Sequence, residues 1–504
     1  MSALPTKHPR KSPTRQPAAE SQPPKAIGAL AAEPAKAGYS AVVLTGLVRA
    51  AEFLLIIGVA FLVHRLYVAP TVGYEPSYFL IVPAVAMLSI VAFQMLRTYH
   101  PAAFRQPLRQ VFRIAGGWAC VFLLVFAVMF FLKLDGVVSR VWIAGWFLFG
   151  LLALAVERAF VSRIVLSLVR SGRLDRRTVV VGGGEFGGDL LRALRAAHGA
   201  EIRVLGVFDD RSDDRSPETV EGFPKLGTVD DLVEFARSTR IDLVIFAMPI
   251  TAESRILEML RKLWVLPTDI RLAAHANRLR FRPRSYSYVG QVPVLDILDK
   301  PIADWDVVIK LAFDKIVGAL ALIALSPVLL ATALAVKLDS RGPVFFRQKR
   351  YGFNNELIEV FKFRSMYVDH ADATAAKLVT RDDPRVTRVG RFIRRTSLDE
   401  LPQLLNVVLK GNLSLVGPRP HAVHAKAADR QYDEVVDGYF ARHRVRPGIT
   451  GWAQINGWRG ETDTPEKIQQ RVEHDLYYIE NWSIFLDMYI LAVTPYSLFK
   501  TNAY

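Results

Sequence analysis

The stretch VGALALIALSPVLLATALAV, residues 317–336, decides where the second half of this chain lies. Its 20 uncharged residues have the length and composition of a helix that crosses a bilayer. Ser326 and Pro327 interrupt it at the centre, and proline removes a backbone hydrogen bond and bends a helix. Basic residues flank it on both sides, so a full crossing would place one basic cluster outside the cytoplasm. The pattern predicts a re-entrant helix that bends at Ser326 and Pro327; a kinked full span is the alternative.

Four further apolar segments precede this stretch, at residues 41–68, 78–96, 111–132 and 141–168. Each is near or above the length that spans a bilayer, so residues 41–170 are predicted to form a domain of four transmembrane helices. Lys and Arg are concentrated before the first segment, between the second and third, and after the fourth. The positive-inside rule therefore predicts a cytoplasmic N-terminus and a cytoplasmic location for the chain beyond residue 170.

Composition supports a membrane protein. Of the 504 residues, 51% are hydrophobic and only 22% are charged, and the net charge is +16. Because many of the basic residues lie beside apolar runs, we predict that they contact a membrane surface and that the chain binds no nucleic acid. The single cysteine excludes an intrachain disulfide and a Cys-based metal site. Residues 1–40 are rich in Pro, Ala, Ser, Lys and Arg and are predicted to be a disordered basic tail.

The sequence RRTVVVGGGEFGGDLLRALR, residues 176–195, is typical of a buried strand, a glycine turn and a helix. Gly182, Gly184 and Gly187 fit the pattern G-x-G-x-x-G, and Asp209 ends the next strand, as in a dinucleotide-binding fold. Residues 171–300 are therefore predicted to be a Rossmann-like α/β domain. A lone glycine motif is weak evidence, so two interpretations stay open: a bound nucleotide, or a folded spacer or regulatory module.

The stretch RRTSLDELPQLLNVV, residues 394–408, has the pattern of a helix start, with Ser397 as the cap and Glu400 as its capping-box partner. Asp399 would then lie in the first turn, where a carboxylate is held ionised and suits a nucleophile or a ligand of a divalent cation. Nearby cations outnumber the acidic pair: Arg388, Arg391, Arg394, Arg395 and Arg419. Phosphates are natural partners of such arginines. The region therefore indicates phosphoryl transfer involving a lipid phosphate, with Mg²⁺.

Three segments, FKFRSM, SLDELPQLLNVVLKGNLSLVGPRP and RPGITGWAQINGWRGE, resemble the catalytic domain of the bacterial polyprenyl-phosphate hexose-1-phosphate transferases, the monotopic phosphoglycosyl transferases. The whole chain resembles their larger form, the undecaprenyl-phosphate glucose phosphotransferases of exopolysaccharide biosynthesis. The resemblance implies a re-entrant helix with a cytoplasmic α/β catalytic domain over residues 301–504, in a multi-pass protein of the bacterial inner membrane. It is also compatible with a homodimer and with contacts to polysaccharide assembly proteins.

The resemblance further implies a reaction and its residues. Asp399, paired with Glu400, would take the sugar phosphate from a UDP-sugar, release UMP and form a covalent aspartyl phosphosugar, which undecaprenyl phosphate would then attack. Asp399 and the substrate diphosphate would bind the Mg²⁺ cofactor. Arg394 and Arg419 match the phosphate-contacting arginines of the family; as an alternative, Arg419 belongs to a stiff turn.

Lys362 and Arg364 are expected to orient the acidic pair or the diphosphate; alternatively, they form the wet face of a strand. The aromatic and polar residues of GWAQINGWR, residues 451–459, would contact the uridine or the sugar, or else form core. His443 is interpreted as structural, and the C-terminal apolar run, which contains Asp487, as an interfacial helix.

Glucose is the expected sugar, with galactose or another hexose as the neighbouring alternative. Two alternatives belong to other functional classes: a membrane-anchored NAD(P)-dependent nucleotide-sugar enzyme, and a non-catalytic assembly scaffold. Tightly bound nicotinamide would favour the first, and the absence of UMP release would favour the second.

Overall fold

A computed structural model of the chain describes residues 38–500, except for 72, 74–75, 100–102, 105, 132, 134–137, 197–201, 212–216, 275–286, 291, 369–382, 422–425, 428–429, 433–435, 437 and 460–463. The predicted basic tail therefore lies almost entirely outside the described residues.

The first part of the chain is a bundle of apolar helices, α1 (Ala41–Val63), α2 (Pro76–Met95), α3 (Pro107–Phe131) and α4 (Arg140–Arg170), and α1 continues as helix to Thr71. Tryptophans of α4 lock onto α1: Trp142 Nε1 donates to the carbonyl of Ala60 (2.9 Å) and Trp146 Nε1 to that of Ile56 (3.1 Å). By length and composition, α1 with its extension, α2 and α3 can each cross a membrane. The prediction of apolar N-terminal helices is confirmed, and the count of four spans stays a prediction.

The middle of the chain is an α/β domain around an eight-stranded sheet in the order β3-β4-β2-β1-β5-β6-β8-β7. The strands are β1 (Arg176–Val181), β2 (Ile202–Phe208), β3 (Thr219–Val220), β4 (Phe223–Gly227), β5 (Leu243–Phe246), β6 (Asp269–Ala273), β7 (Ser287–Val289) and β8 (Val292–Leu298). Strands β4, β2, β1, β5 and β6 are parallel, and the outer strands on both sides are antiparallel. The accompanying helices are α5 (Glu185–Ala196), α6 (Val229–Ser238) and α7 (Glu253–Leu263). The predicted α/β domain is confirmed.

The uncharged stretch at residues 317–336 lies within two helices, α8 (Asp304–Ala324) and α9 (Ser326–Asp339), which meet at an angle of 61°. Pro327 lies in the first turn of α9, where the missing N–H costs nothing. Ser326 Oγ donates to the carbonyl of Ile323 (2.7 Å) across the break. A break at Ser326 and Pro327 is thus present, and its geometry fits either a broken span or a re-entrant loop.

The first bundle helix contacts the start of α8. Ser40 Oγ donates to Asp304 Oδ1 (2.5 Å), and the ring of Trp305 lies so close to Gly46 that a Cβ added there would come within 2.4 Å of it. The bundle and the bent helix pair are therefore in direct contact on their N-terminal sides.

The C-terminal part contains a hairpin, β9 (Phe345–Tyr351) and β10 (Leu357–Phe363), and a parallel pair, β11 (Ser414–Val416) and β14 (Gly448–Thr450). The short strands β12 (Lys426–Ala427) and β13 (Arg430–Gln431) pair with each other. Its helices are α10 (Arg388–Arg395), α11 (Trp452–Ile455), α12 (Pro465–Glu480) and α13 (Ile484–Lys500). A buried apolar cluster that includes Ile358, Leu404, Leu415 and Tyr478 holds these elements together.

A buried polar network ties α8 to the C-terminal helix α13. Lys310 of α8 donates to Asp487 Oδ2 of α13 (2.6 Å) and to the carbonyl of Val416 (3.0 Å). The Tyr478 hydroxyl donates to the same carbonyl (3.0 Å) and to Asp487 Oδ1 (2.8 Å). Since Val416 ends β11 three residues before Arg419, the network fixes the strand from which the Arg419 turn departs.

Candidate active site

The turn that carries the acidic pair differs from the predicted helix start. Ser397 has left-handed backbone angles (φ 58°, ψ 17°) and its side chain caps no N–H; a single 3₁₀ turn, Leu398–Glu400, follows. The Ser397 hydroxyl instead accepts a hydrogen bond from Arg459 Nη2 (2.6 Å). The capping-box interpretation is therefore wrong, because Glu400 is drawn away by two cations. In place of the predicted single helix, the chain forms the 3₁₀ turn, a short α-helical turn, Gln403–Leu405, and a π-helical turn, Asn406–Lys410.

Glu400 is fully engaged by protein cations. Lys362 Nζ donates to Oε1 (2.8 Å), and Arg419 donates through Nη2 to Oε1 (2.6 Å) and through Nη1 to Oε2 (3.1 Å). Burial alone would raise the pKa of Glu400, but Arg419 and Lys362 outweigh it and hold the pKa well below the usual range. Glu400 is thus an ionised anchor that holds both cations.

Asp399, by contrast, is available. It is half-buried, and within the part of the chain that the structure describes no group donates a hydrogen bond to its side chain. Burial and the neighbouring Glu400 raise the pKa of Asp399 to about 6, against the opposing effect of Lys362 and Arg394. The carboxylate is therefore mostly ionised at neutral pH and accepts no hydrogen bond from a described group, which suits a nucleophile or a cation ligand.

Cations exceed carboxylates around this pair. Arg350 donates to the carbonyl of Pro420 (2.7 Å) and Arg471 to that of Trp458 (2.9 Å). Burial and the nearby Arg419 lower the pKa of Arg350 and of Arg471 to about 10. Since repulsion among these guanidinium groups is relieved by bound anions, the arrangement suits a ligand with several phosphate charges.

The structure brings together five of the predicted site residues: Asp399, Glu400, Lys362, Arg394 and Arg419. Arg364, predicted to orient the acidic pair or the diphosphate, does not contact the acidic pair. Its guanidinium donates to the carbonyls of Ser340 (2.7 Å) and Arg341 (3.0 Å), just beyond the end of α9. Lys362 and Arg364 are separated because the chain leaves β10 after Phe363, and Arg364 therefore secures the bent helix pair.

Two supporting residues escaped the sequence reasoning. Asn406 bridges the acidic segment to β10: it accepts from the N–H of Phe361 (2.9 Å) and donates to the carbonyl of Glu359 (2.7 Å). Arg442, fully buried, donates to Asp475 (2.5 Å) and to the carbonyl of Arg419 (2.7 Å). A polar residue inside the apolar run LLNVV was the one signal that could have revealed Asn406.

The residues of GWAQINGWR differ in their exposure to solvent. Trp452 is half-buried and stacks on the exposed Tyr477 with ring centroids 5.5 Å apart, whereas Gln454 is buried. Asn456 is exposed, and Arg459 faces the acidic turn through Ser397. His443 is buried next to Asn355, and burial lowers its pKa well below the usual range.

The glycine motif of the middle domain forms the predicted turn after β1. Gly182 needs its glycine because φ is +108°, and a Cβ at Gly187 would come within 2.2 Å of the Gly182 carbonyl oxygen. Asp209, however, is occupied by protein groups: it accepts from the N–H of Gly183 (2.6 Å) and from Arg211 Nη2 (2.7 Å).

Comparison with known proteins agrees with this picture. Residues 305–501 match the family described as bacterial sugar transferase, and residues 94–274 match a CoA-binding domain family. The chain is 40% identical over 365 residues to the UDP-glucose:undecaprenyl-phosphate glucose-1-phosphate transferase of Escherichia coli K12, covering 72% of this chain and 76% of that protein. The protein of that name in Xanthomonas campestris is 33% identical over 448 residues, covering 88% and 92%.

The undecaprenyl-phosphate glucose phosphotransferase of Komagataeibacter xylinus is 42% identical over 369 residues, covering 71% of this chain and 66% of that protein. The acidic pair, its cations and the apolar helices thus occur in a membrane-associated sugar transferase. The chain belongs to the polyprenyl-phosphate hexose-1-phosphate transferase family, within the group of the undecaprenyl-phosphate glucose phosphotransferases.

Proposed function

We propose that this protein transfers glucose 1-phosphate from UDP-glucose to undecaprenyl phosphate, releases UMP, and thereby starts the membrane stage of exopolysaccharide synthesis. The observation that carries the proposal is the pairing of an unengaged carboxylate, Asp399, with an engaged one, Glu400, inside a cluster of arginines. The names of the relatives from E. coli and X. campestris support the same substrates.

The reaction then has two displacements. An Asp399 carboxylate oxygen attacks the phosphorus that bears glucose, forming an O–P bond while the bond to the bridging oxygen breaks and UMP leaves with the electron pair. An oxygen of undecaprenyl phosphate next attacks the same phosphorus, and Asp399 departs as a carboxylate. Two displacements through a covalent aspartyl phosphosugar replace one encounter between two polyanions.

The cations around the acidic pair would bind the phosphates of the substrates. Arg419 and Lys362 are held by Glu400 and need no reorganisation when a phosphate arrives, so their charges are already aimed at the reaction centre. Arg394 acts on Asp399 without a hydrogen bond to it and is a second phosphate partner. Glu400 is thus a positioning residue for these cations, whereas Asp399 reacts.

A divalent cation fits this site. Asp399 offers a hard oxygen ligand without a competing donor among the described residues, and Mg²⁺ in such sites takes its other ligands from substrate phosphates and water. The described residues hold no cluster of three or more metal-ligating side chains, so the substrate diphosphate is part of the proposed site. When bound, Mg²⁺ would screen the repulsion between the carboxylate and the diphosphate.

The re-entrant path of α8 and α9 is part of the proposal. Lys310 near the start of α8 binds Asp487 of the catalytic part, while Asp339 at the end of α9 accepts from the N–H of Val389 (3.0 Å). Both ends of the bent pair thus contact the same catalytic domain, as a hairpin inserted from one side would. The reacting groups would lie at the cytoplasmic face of the bacterial inner membrane, where the lipid phosphate is found.

Cysteine labelling tests this orientation. In a chain without the native Cys120, the exposed Glu466 is replaced by cysteine, and whole cells are treated with a membrane-impermeant maleimide. We expect labelling only after the cells are opened. Labelling of intact cells would show that α8 and α9 cross the membrane and would refute the re-entrant path.

The activity test is UMP release by the purified, detergent-solubilised chain supplied with UDP-glucose, undecaprenyl phosphate and Mg²⁺. Asp399→Ala should abolish release, whereas Asp306→Ala, which removes an exposed aspartate from the first turn of α8, should not. UDP-galactose as competing donor decides the sugar. Tightly bound nicotinamide together with full turnover by Asp399→Ala would favour the nucleotide-sugar enzyme. A folded wild-type chain that releases no UMP with any donor would favour the scaffold.

A further inference from the structure

The hydroxyl of Ser397 has an unused hydrogen-bond donor two residues before Asp399. Ser397 is half-buried, and its Oγ accepts a hydrogen bond from Arg459 Nη2 (2.6 Å). A hydroxyl can donate as well as accept, yet within the part of the chain that the structure describes no group accepts from Ser397. The hydroxyl proton is therefore available to a bound group beside the acidic pair.

The backbone of Ser397 directs this hydroxyl away from the ordinary capping position. Its left-handed angles (φ 58°, ψ 17°) are ones that glycine adopts easily and serine does not. Hydrogen bonds close the turn on both sides, from the N–H of Ser397 to the carbonyl of Arg394 (3.2 Å) and from the N–H of Glu400 to the carbonyl of Ser397 (3.2 Å). The chain thus forgoes a helix cap, and the hydroxyl meets Arg459 instead.

Arg459 belongs to the charge cluster of the acidic pair. Burial and the nearby Arg419 lower the pKa of Arg459, whereas Glu400 and Asp399 raise it, and the pKa stays below its ordinary value. Since both carboxylates act on this guanidinium, the hydroxyl that it holds lies in the same cluster. The hydrogen bond from Arg459 also polarises the O–H bond of Ser397 and makes it a better donor.

We propose that the Ser397 hydroxyl donates a hydrogen bond to a non-bridging oxygen of the phosphoryl group that Asp399 attacks, with Arg459 as the positioning residue that orients this hydroxyl. The inference rests on the proposed transferase function. The bond between Asp399 and phosphorus forms, the bond to the bridging oxygen breaks, and UMP leaves with the electron pair, while Ser397 keeps its proton throughout.

A neutral donor suits this place in the reaction. It stabilises the charge on the phosphoryl oxygens without forming an ion pair with the attacking carboxylate, which a further cation would do. Because Ser397 is held by Arg459 before the substrate binds, the donor needs no reorganisation during the displacement. Ser397 is in this sense a catalytic residue that the sequence pattern disguised as a helix cap.

The first displacement alone tests the proposal. The detergent-solubilised full-length chain, in excess over UDP-glucose and with Mg²⁺ but no undecaprenyl phosphate, should form UMP in a single turnover. Ser397→Gly removes the hydroxyl and keeps a residue that adopts the left-handed backbone freely. We expect the maximal rate constant to fall about tenfold to a hundredfold, the effect of losing one hydrogen bond to a charged group. The enzyme concentration that gives half the maximal rate should change less than about threefold, because the contact strengthens in the transition state.

Thr396→Ala is the matched control. It removes the neighbouring hydroxyl, which is exposed and donates back to the carbonyl of Phe392 (2.9 Å), and should leave the rate unchanged. Ser397→Ala separates the hydroxyl from the backbone, since alanine lacks the hydroxyl but fits the left-handed turn less well than glycine. If only the shape of the turn mattered, Ser397→Gly would react as fast as the wild type and Ser397→Ala more slowly. That result would overturn the proposal.

The role of Arg459 is tested by a double-mutant cycle. Arg459→Ala should slow the same step, and Ser397→Gly combined with Arg459→Ala should be no slower than the slower single variant, because both changes remove one contact. Fully additive losses would overturn the positioning role. Wild-type chain that releases no UMP with any donor would refute the transferase function, whereas UMP release at equal rates by wild type and Ser397→Gly would refute this inference alone.

Discussion

Replacement of Asn406 by leucine should weaken the contact between the acidic segment and β10 and lower the stability of the catalytic domain. Asn406 is fully buried and makes three hydrogen bonds: with the N–H of Phe361 (2.9 Å), the carbonyl of Glu359 (2.7 Å) and Oδ1 of Asn412 (3.1 Å). Leucine has a similar volume but can make none of them. The partners on β10 would lose their contacts at the strand edge that faces away from β9.

The expected loss follows from these contacts. A net contribution of about 0.5–1.5 kcal/mol for each hydrogen bond gives a loss of about 1.5–4.5 kcal/mol for the three. In a domain of about 200 residues, each kcal/mol lowers the melting temperature by about 2–4 °C, so the middle of the range corresponds to a decrease of about 6–12 °C. Since Lys362 follows Phe361 directly, UMP release should fall as well.

The assay is thermal unfolding of the detergent-solubilised variants at one fixed scan rate. Asn456→Leu is the matched control, because Asn456 is exposed and its side chain donates only within its own turn, to the carbonyl of Trp452 (2.8 Å). A decrease of less than about 2 °C for Asn406→Leu, or the same decrease for both variants, would refute the reasoning.

Two further predictions concern the ionisation of Asp399 and the contact between α1 and α8. In metal-free protein, modification of Asp399 by a carbodiimide, which needs the protonated carboxyl, should fall as the pH rises through about 6. Lys362→Met should raise that midpoint, because Lys362 lowers the pKa of Asp399; mass spectrometry showing an unchanged or lower midpoint would contradict this. Gly46→Leu should displace the ring of Trp305 and reduce UMP release, whereas Gly58→Leu, which faces open space on the same helix, should not; equal activities would mean that this contact is unimportant for catalysis.

Much of the architecture could be predicted because it depends on local patterns. Apolar runs of bilayer length, the glycine turn after β1 and the proline at position 327 each fix a structure through their immediate neighbours. The acidic pair and several of its cations were recognisable for a similar reason, since Asp399, Glu400 and Arg394 lie within one short segment.

The remainder depends on contacts distant in sequence. Ser397 and Glu400 have the spacing of a capping box, but Arg459, 62 residues away, binds the serine, and Lys362, 38 residues away, binds the glutamate. These charged hydrogen bonds outweigh a cap, which is worth about 1 kcal/mol. Arg364 was misplaced because strand alternation cannot show where the chain leaves the strand.

The network of Lys310, Tyr478 and Asp487 has a consequence for the order in which the enzyme is made. Val416, whose carbonyl this network holds, precedes the Arg419 turn, yet Asp487 is translated long after it. A nascent chain therefore contains Asp399 before it contains the last support of the Arg419 turn. The support of the Arg419 turn is complete only when α13 has been translated, long after the N-terminal bundle.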